Sequence, residues 1–346
     1  MPWRTILLLV LALGLSLGVL AHGWKDAVAG LSSLSWKEAG LLFFLPFFSW
    51  FFNSRRLMLL SGTLGYPVKG LAAFARVVAV EFGAAASPAG AGAGPVFVWL
   101  AKVTHTPASE AAAMFGVDIL ADLTFFFVAM PVFGMVSFLP TPLALSMPLF
   151  LRLAAGWAVG SVLLWALVRR HERIVRFFLR QKKLLPKASW RKKGIRALVR
   201  FHRAADLLGK MPVRAFFFLF LYTCGQWLSR YSVLPLAASF LGENSPWEAF
   251  WLWQCLVFLG GQAIFIPGGS GGVELGMAQI LARYLHEGAV YPVLFVWRFY
   301  TYYIYLLLGA PVFFFLAKLR LSPVMREQKK KEPKSCPRLE KEKEGA

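Results

Sequence analysis

Gly260-Gly-Gln-Ala-Ile-Phe-Ile-Pro-Gly-Gly-Ser-Gly-Gly272 interrupts an apolar region, 247–285, that would otherwise suit a bilayer. An earlier apolar region, 71–102, carries the same kind of interruption: Phe82-Gly-Ala-Ala-Ala-Ser-Pro-Ala-Gly-Ala-Gly-Ala-Gly-Pro95. In each, a proline (Pro88, Pro267) stands about six residues beyond a glycine, and alternating or doubled glycines follow it. New helical runs then begin at 96–102 and 273–285. Backbone that leaves the helix at membrane depth strands N–H and C=O groups that lipid cannot satisfy. Such breaks persist only inside protein or beside a water-filled cavity. For Pro267–Gly272 this points to a site. For the Ala/Gly run after Pro88, tight packing through small residues is an equal alternative.

The rest of the chain fits that environment. Of 346 residues, 58% are AVILMFWYC and only 16% are charged, where soluble domains carry about 25%. Six stretches are long enough, or nearly so, to cross: 5–22, 39–60, 107–136, 142–168, 213–241 and 289–317. A cleaved signal peptide ending before His22 is the alternative reading of the first. The net charge of +21 is pooled: 16 basic residues lie between Arg169 and Arg214, with Glu172 and Asp206 the only acids there. Because apolar spans flank it, this loop reads as membrane-facing and cytoplasmic, with no nucleic-acid role. Ile195, Leu198, Val199, His202, Ala205 and Leu208 form an apolar stripe along it, as in an interfacial helix on anionic headgroups; a solvated linker is the alternative. Arg55, Arg56 and Lys69 mark a second inside loop, 53–70. The Lys/Glu-rich tail 321–346 is expected to be disordered and cytoplasmic.

These assignments fix parity. Both termini are inside, region 71–102 starts and ends inside, and region 247–285 starts and ends outside. Helix 39–60, hairpin 71–102 and helix 107–136 then recur, inverted, as helix 213–241, hairpin 247–285 and helix 289–317. The expected fold is an all-α polytopic membrane protein. It has about six full transmembrane helices plus two Gly/Pro-broken re-entrant hairpins in an inverted repeat, all within one domain, 1–320. Paired broken segments of this kind point to a transporter's binding site.

Charged residues inside apolar sequence are the next candidates. Glu274 stands on the first turn after the second break, and Arg298 sits within the last span. Asp118 and Asp122 share one helix face, Arg76 and Glu81 precede the first break, and Arg230 lies within 213–241. The cheapest arrangement is one polar cavity in which they pair. Trp297, Tyr300, Tyr302, Tyr303 and Tyr305 read as an interfacial aromatic belt.

Ile266-Pro-Gly-Gly-Ser-Gly-Gly-Val-Glu274, followed 24 residues later by Arg298, resembles the lysylphosphatidylglycerol synthase transmembrane-domain family of flippase-like membrane proteins. That family's first half carries a Pro-x-Arg-x-Gly-Glu break and a Glu-Arg-x-x-Asp helix. Here Pro88-Ala-Gly-Ala-Gly-Ala93 and Asp118-Ile-Leu-Ala-Asp122 stand at those places, with Gly90, Ala93 and Ile119 replacing charged residues. The resemblance implies a protein of a bacterial or archaeal plasma membrane that moves a phospholipid or polyprenyl-linked lipid between leaflets. Gly268, Gly269, Ser270, Gly271 and Gly272 would let main-chain N–H groups approach a headgroup. Arg298, with Arg76 or Arg230, would neutralise phosphate, and Glu274 or the Asp118/Asp122 pair would exchange protons. Fused synthase domains occur in the family. The 28 residues after Lys318 hold none, so enzymatic modification of lipid by this chain alone is not expected. A membrane subunit or scaffold for a separate synthase is the alternative.

Other chemistry lacks its parts. Gly268-Gly-Ser-Gly271 matches the serine motif of rhomboid-type intramembrane proteases, but only His286 follows it as a base. No phosphate-binding loop, His-Glu-x-x-His or Cys/His cluster occurs, so neither a cofactor nor a metal is expected.

Overall fold

The computed structural model describes residues 32–101, 106–136, 211–243, 246–261 and 266–321, with residues 14, 30, 199 and 206 as single positions. The expected spans 5–22 and 142–168, nearly all of the basic loop 169–214 and the tail lie outside the described residues.

Among the described residues every element is helical. Ser35 starts α1 (Trp36–Thr63) through a capping box with Glu38: the Ser35 N–H donates to the Glu38 carboxylate at 2.8 Å and the Glu38 N–H donates back to Ser35 Oγ at 3.4 Å. There follow α2 (Gly70–Ala85), α3 (Ala93–Ala101), α4 (Ala108–Val136) and α5 (Val213–Tyr231). The remainder are α6 (Val233–Phe240), α7 (Trp247–Gly261), α8 (Gly272–Leu281), α9 (Val290–Arg298) and α10 (Ile304–Leu321). A five-residue π-helical turn, Phe299–Tyr303, joins the last two. Among the described residues, 110–134 and 287–318 are the helices long and apolar enough to cross a membrane by length and composition.

Both glycine-proline interruptions break the helix where the sequence places them, and both chains double back. The two turns share a backbone. After Pro88, Ala89 and Gly90 take φ of +50° and +67°; after Pro267, Gly268 and Gly269 take +64° and +63°. Ala91 N–H donates to Pro88 O at 3.0 Å, as Ser270 N–H does to Pro267 O at 3.3 Å. Side chains then capture the amide four residues past each proline. Gly92 N–H donates to Ser87 Oγ at 2.7 Å, and Gly271 N–H donates to the Glu274 carboxylate at 2.7 Å. A side chain on Gly92 would strike the Gly83 carbonyl of the opposing arm, so only glycine permits this approach. The two turns also meet each other: Pro88 and Pro267 face in a single antiparallel β-bridge.

Packing around the hairpins follows one pattern. α1 lies along α5, α4 packs on α7, and α10 packs on α2. The helix that leaves each hairpin therefore rests on the leading arm of the other. The largest apolar core joins α1, α6, α7, α8 and α9 through Leu42, Trp50, Leu234, Phe250, Met277 and Leu294, all nearly inaccessible. Outward faces are apolar too: Phe44, Phe217, Leu307 and Phe315 are 58–62% exposed, whereas Arg56 and Glu274 are buried. Charge inside and phenylalanine outside is the arrangement lipid imposes.

Two expectations change. The span 213–241 divides at Ser232, because Pro235 lacks the N–H that would bond Tyr231 O. Gln254 on α7 supplies that missing donor through Nε2, at 2.8 Å. Arg56 does not mark a loop. It lies within α1 at 1% exposure, since the helix runs on to Thr63.

Candidate functional site

Ser49, Asn53 and Arg56 fall at helical spacing on the inner face of α1, and all are buried. They meet the acids of α4. Arg56 Nη1 donates to Asp122 Oδ1 at 2.6 Å, and Arg56 Nε lies 2.6 Å from Asp118 Oδ1. The second is a charge contact without an aligned hydrogen bond. Arg56 Nη1 also reaches Thr223 Oγ1 on α5 at 3.2 Å, and Trp227 Nε1 donates to Asp122 Oδ1 at 2.9 Å. One guanidinium thus ties α1 to two turns of α4.

A second cluster joins α2 to α5. Glu81 accepts from Asn53 Nδ2 at 3.0 Å and pairs with Arg230 Nη1 at a looser 3.4 Å. Arg230 Nη2 donates to Thr301 O at 3.2 Å, a carbonyl presented by the π-helical turn, and its guanidinium stands 4.4 Å above the Tyr305 ring.

The third cluster fixes the second break. Arg298 Nε donates to Glu274 Oε1 at 2.7 Å, Nη2 lies 2.7 Å from the same oxygen, and Nη2 donates to Gly268 O at 3.0 Å. Glu274 is fully buried and Arg298 is 5% exposed. Because the other carboxylate oxygen of Glu274 accepts the Gly271 amide, the pair holds the turn from both ends. Tyr302 lies across both breaks, its hydroxyl 3.4 Å from Pro267 O and 3.5 Å from Ala85 O.

These clusters open on one cavity of about 430 Å³, bounded by both hairpins, α1, α4, α5 and the π-helical turn. Of the residues singled out in sequence, Asp118, Asp122, Glu81, Arg230, Arg298, Gly268 and Gly269 line it. Glu274 stands behind Arg298. Pro88, Pro267, Ser270, Gly271 and Gly272 form the turns at its rim rather than its wall. Arg76 is not in its lining; it borders a separate small hollow with Val68 and Phe97. The aromatic-belt expectation fails: Trp297, Tyr300, Tyr302 and Tyr305 are at most 6% exposed and pack inside the protein. Ser270 is no nucleophile awaiting a base. Its hydroxyl donates to Pro267 O at 2.9 Å, while His286 is exposed and lies 3.1 Å from Glu243.

Sequence reading missed Arg56, Gln226, Trp227 and Tyr302. The signal for Arg56 was present, since Ser49, Asn53 and Arg56 mark one face of an otherwise apolar helix. No spacing announced Gln226, whose Oε1 is buried at the cavity wall and accepts no hydrogen bond.

A UPF0104 membrane protein of Archaeoglobus fulgidus is 23% identical over 283 residues, covering 80% of this chain and 85% of that protein. Residues 6–309, which include both hairpins and all three charge clusters, match the family described as the lysylphosphatidylglycerol synthase TM region. With its charges turned inward and its apolar side chains outward, this chain is an integral membrane protein of the lysylphosphatidylglycerol synthase transmembrane-region family.

Proposed function

We propose that the protein translocates a phospholipid or a polyprenyl-linked lipid between leaflets, with the headgroup passing through the cavity between the two hairpins. The observation that carries this reading is the meeting of the two broken turns, Pro88 against Pro267, beside a charge-lined cavity. In this reading the hairpins are the two halves of an inverted repeat and enter from opposite faces, with both termini cytoplasmic. Arms of 16, 9, 15 and 10 residues support re-entry, because each is shorter than the roughly 20 residues a full crossing takes. The shared turn geometry and the exchanged packing of α4 and α10 support the repeat. Alternating access then follows from rocking one half against the other about the fixed site.

Roles divide by how tightly each charge is held. Arg298 and Glu274 keep the second turn in shape. Arg230 has the loosest ion pair of the three guanidiniums and is the group that meets the headgroup phosphate.

Leaflet exchange of fluorescent phospholipids and polyprenyl-linked probes in proteoliposomes tests this, with dithionite quenching only outer-leaflet probe. Wild-type protein is expected to bring quenching beyond the outer fraction. Arg230→Gln is expected to slow exchange about tenfold or more, the scale of one lost charge-assisted contact. Wild-type vesicles indistinguishable from protein-free ones across all probes would refute the reading.

A further inference from the structure

We propose that the Arg56–Asp118–Asp122 cluster holds one exchangeable proton, carried on Asp118, whose uptake and release accompany headgroup movement. The coupling rests on the translocation reading above; the proton site does not.

The argument begins with charge. Four carboxylates and three guanidiniums line or back the cavity among the described residues. Glu274 and Arg298 pair with each other, and the Gly271 amide and Gly268 carbonyl bond to them in turn. Glu81 pairs with Arg230 and accepts from Asn53. That leaves Arg56 for both Asp118 and Asp122, so the surplus negative charge belongs to this cluster. An uncompensated carboxylate in a buried site is costly, and a proton is the smallest group that removes the cost.

The two acids are not equivalent. Asp122 Oδ1 accepts aligned hydrogen bonds from Arg56 Nη1 and from Trp227 Nε1. Asp118 has only the Arg56 Nε contact, whose N–H is not aimed at it. Both side chains keep some exposure toward the cavity, 18% for Asp118 and 25% for Asp122, so the difference between them lies in the hydrogen bonds. Gln226 is 2% exposed, and its Oε1 is an acceptor without a donor on the wall of the same cavity as Arg56 and Asp122. That oxygen is itself inaccessible to water, so the proton arrives at the exposed side of Asp118.

The charged groups acting on Asp118 are Arg56 on α1, Asp122 on α4 and Glu81 on α2. From α5, Trp227, Thr223 and Arg230 face the cluster, and Tyr231 stands behind Asp122 in contact with Cys255 of α7. α3 presents only Ala93 and Phe97 to the cavity. Among the described residues, Arg56 is thus the one cation in contact with Asp118. When a proton moves from the cavity onto a carboxylate oxygen of Asp118, the acid becomes neutral and Arg56 pairs with Asp122 alone. When the proton leaves, both turns of α4 compete for Arg56 again. Protonation therefore sets how firmly α4 is held to α1.

Infrared titration of the full-length protein in nanodiscs reads the proton directly, through the C=O stretch of a protonated carboxyl group. The wild type is expected to show one such band that titrates. Asp118→Asn is expected to lose it, and Asp122→Asn, which removes the surplus charge and leaves Arg56 to Asp118 alone, to move its titration to lower pH. Should Asp118→Asn not fold, Asp118→Glu keeps the group and is expected to shift the band. No titrating band in the wild type, or a band indifferent to both changes at Asp118, overturns the proton site. Coupling is read in wild-type proteoliposomes with an imposed pH gradient and clamped voltage. One proton per lipid predicts a tenfold change in the leaflet ratio of the probe per pH unit. Exchange that ignores the gradient overturns coupling while leaving translocation intact. Absence of any exchange overturns translocation, and the infrared result still decides the proton site.

Discussion

Gly268 and Ala89 follow the prolines of the same turn, yet only one position tolerates a side chain. Both have positive φ, but a Cβ on Gly268 would enter the Tyr302 ring, whereas Ala89 opens on the cavity. Gly268→Ala is therefore expected to lower the melting temperature of the purified protein in detergent. Ala89→Gly relieves left-handed strain of roughly 1 kcal/mol and is expected to leave the melting temperature equal or slightly raised. Arg56 is the more consequential residue. Removing it strands two carboxylates, and loss of one partner from a buried ion pair typically costs about 3–5 kcal/mol. Arg56→Gln should thus give little monodisperse protein on size-exclusion chromatography. Asp118→Asn combined with Arg56→Gln should recover part of the yield, because less charge is left uncompensated. Arg56 was open to reading as a loop residue because it adjoins Arg55 and lies near the end of an apolar run. Its partners Asp118 and Asp122 come from a helix 62 and 66 residues away, and no local pattern encodes that meeting.

At the scale of elements, the breaks were legible because proline and glycine act locally. A proline removes an N–H, consecutive glycines accept positive φ, and both effects hold wherever the segment packs. The division of 213–241 into α5 and α6 and the π-helical turn after Arg298 were not legible, because tertiary bonds sustain them. Gln254 is the clearest case: its Nε2 donates to Tyr231 O, left free by Pro235, and its Oε1 accepts from Trp297 Nε1 at 2.8 Å. One amide thereby joins α5, α7 and α9. Gln254→Leu leaves a buried carbonyl and a buried indole N–H unpaired, at about 1–3 kcal/mol each. A drop of several degrees in the unfolding midpoint is expected. Trp297→Phe in the same background should cost less than the two changes summed, since one orphan is then absent. The buried Trp297–Tyr305 aromatics were misread as a belt for the same reason: composition reports amphipathic rings, and only packing tells whether they face headgroups or Arg230.

For the whole molecule, composition alone was enough to identify a membrane protein, and the two helix breaks were readable. The mutual packing of the helices was not. That α4 rests on α7 and α10 on α2 depends on surfaces nearly all apolar, where one helix face differs little from another in sequence. The arrangement brings two otherwise separate turns to one point, and the account requires those turns to move apart as the headgroup passes. Bridge partners on adjacent strands lie within disulfide reach. The most direct measurement is lipid exchange by Pro88→Cys/Pro267→Cys in a background with Cys224, Cys255 and Cys336 replaced by serine. Oxidation is predicted to stop exchange and reduction to restore it, with cross-link formation followed in parallel by tryptic peptide mapping. Exchange that continues at the uncross-linked rate in fully cross-linked protein would contradict the account.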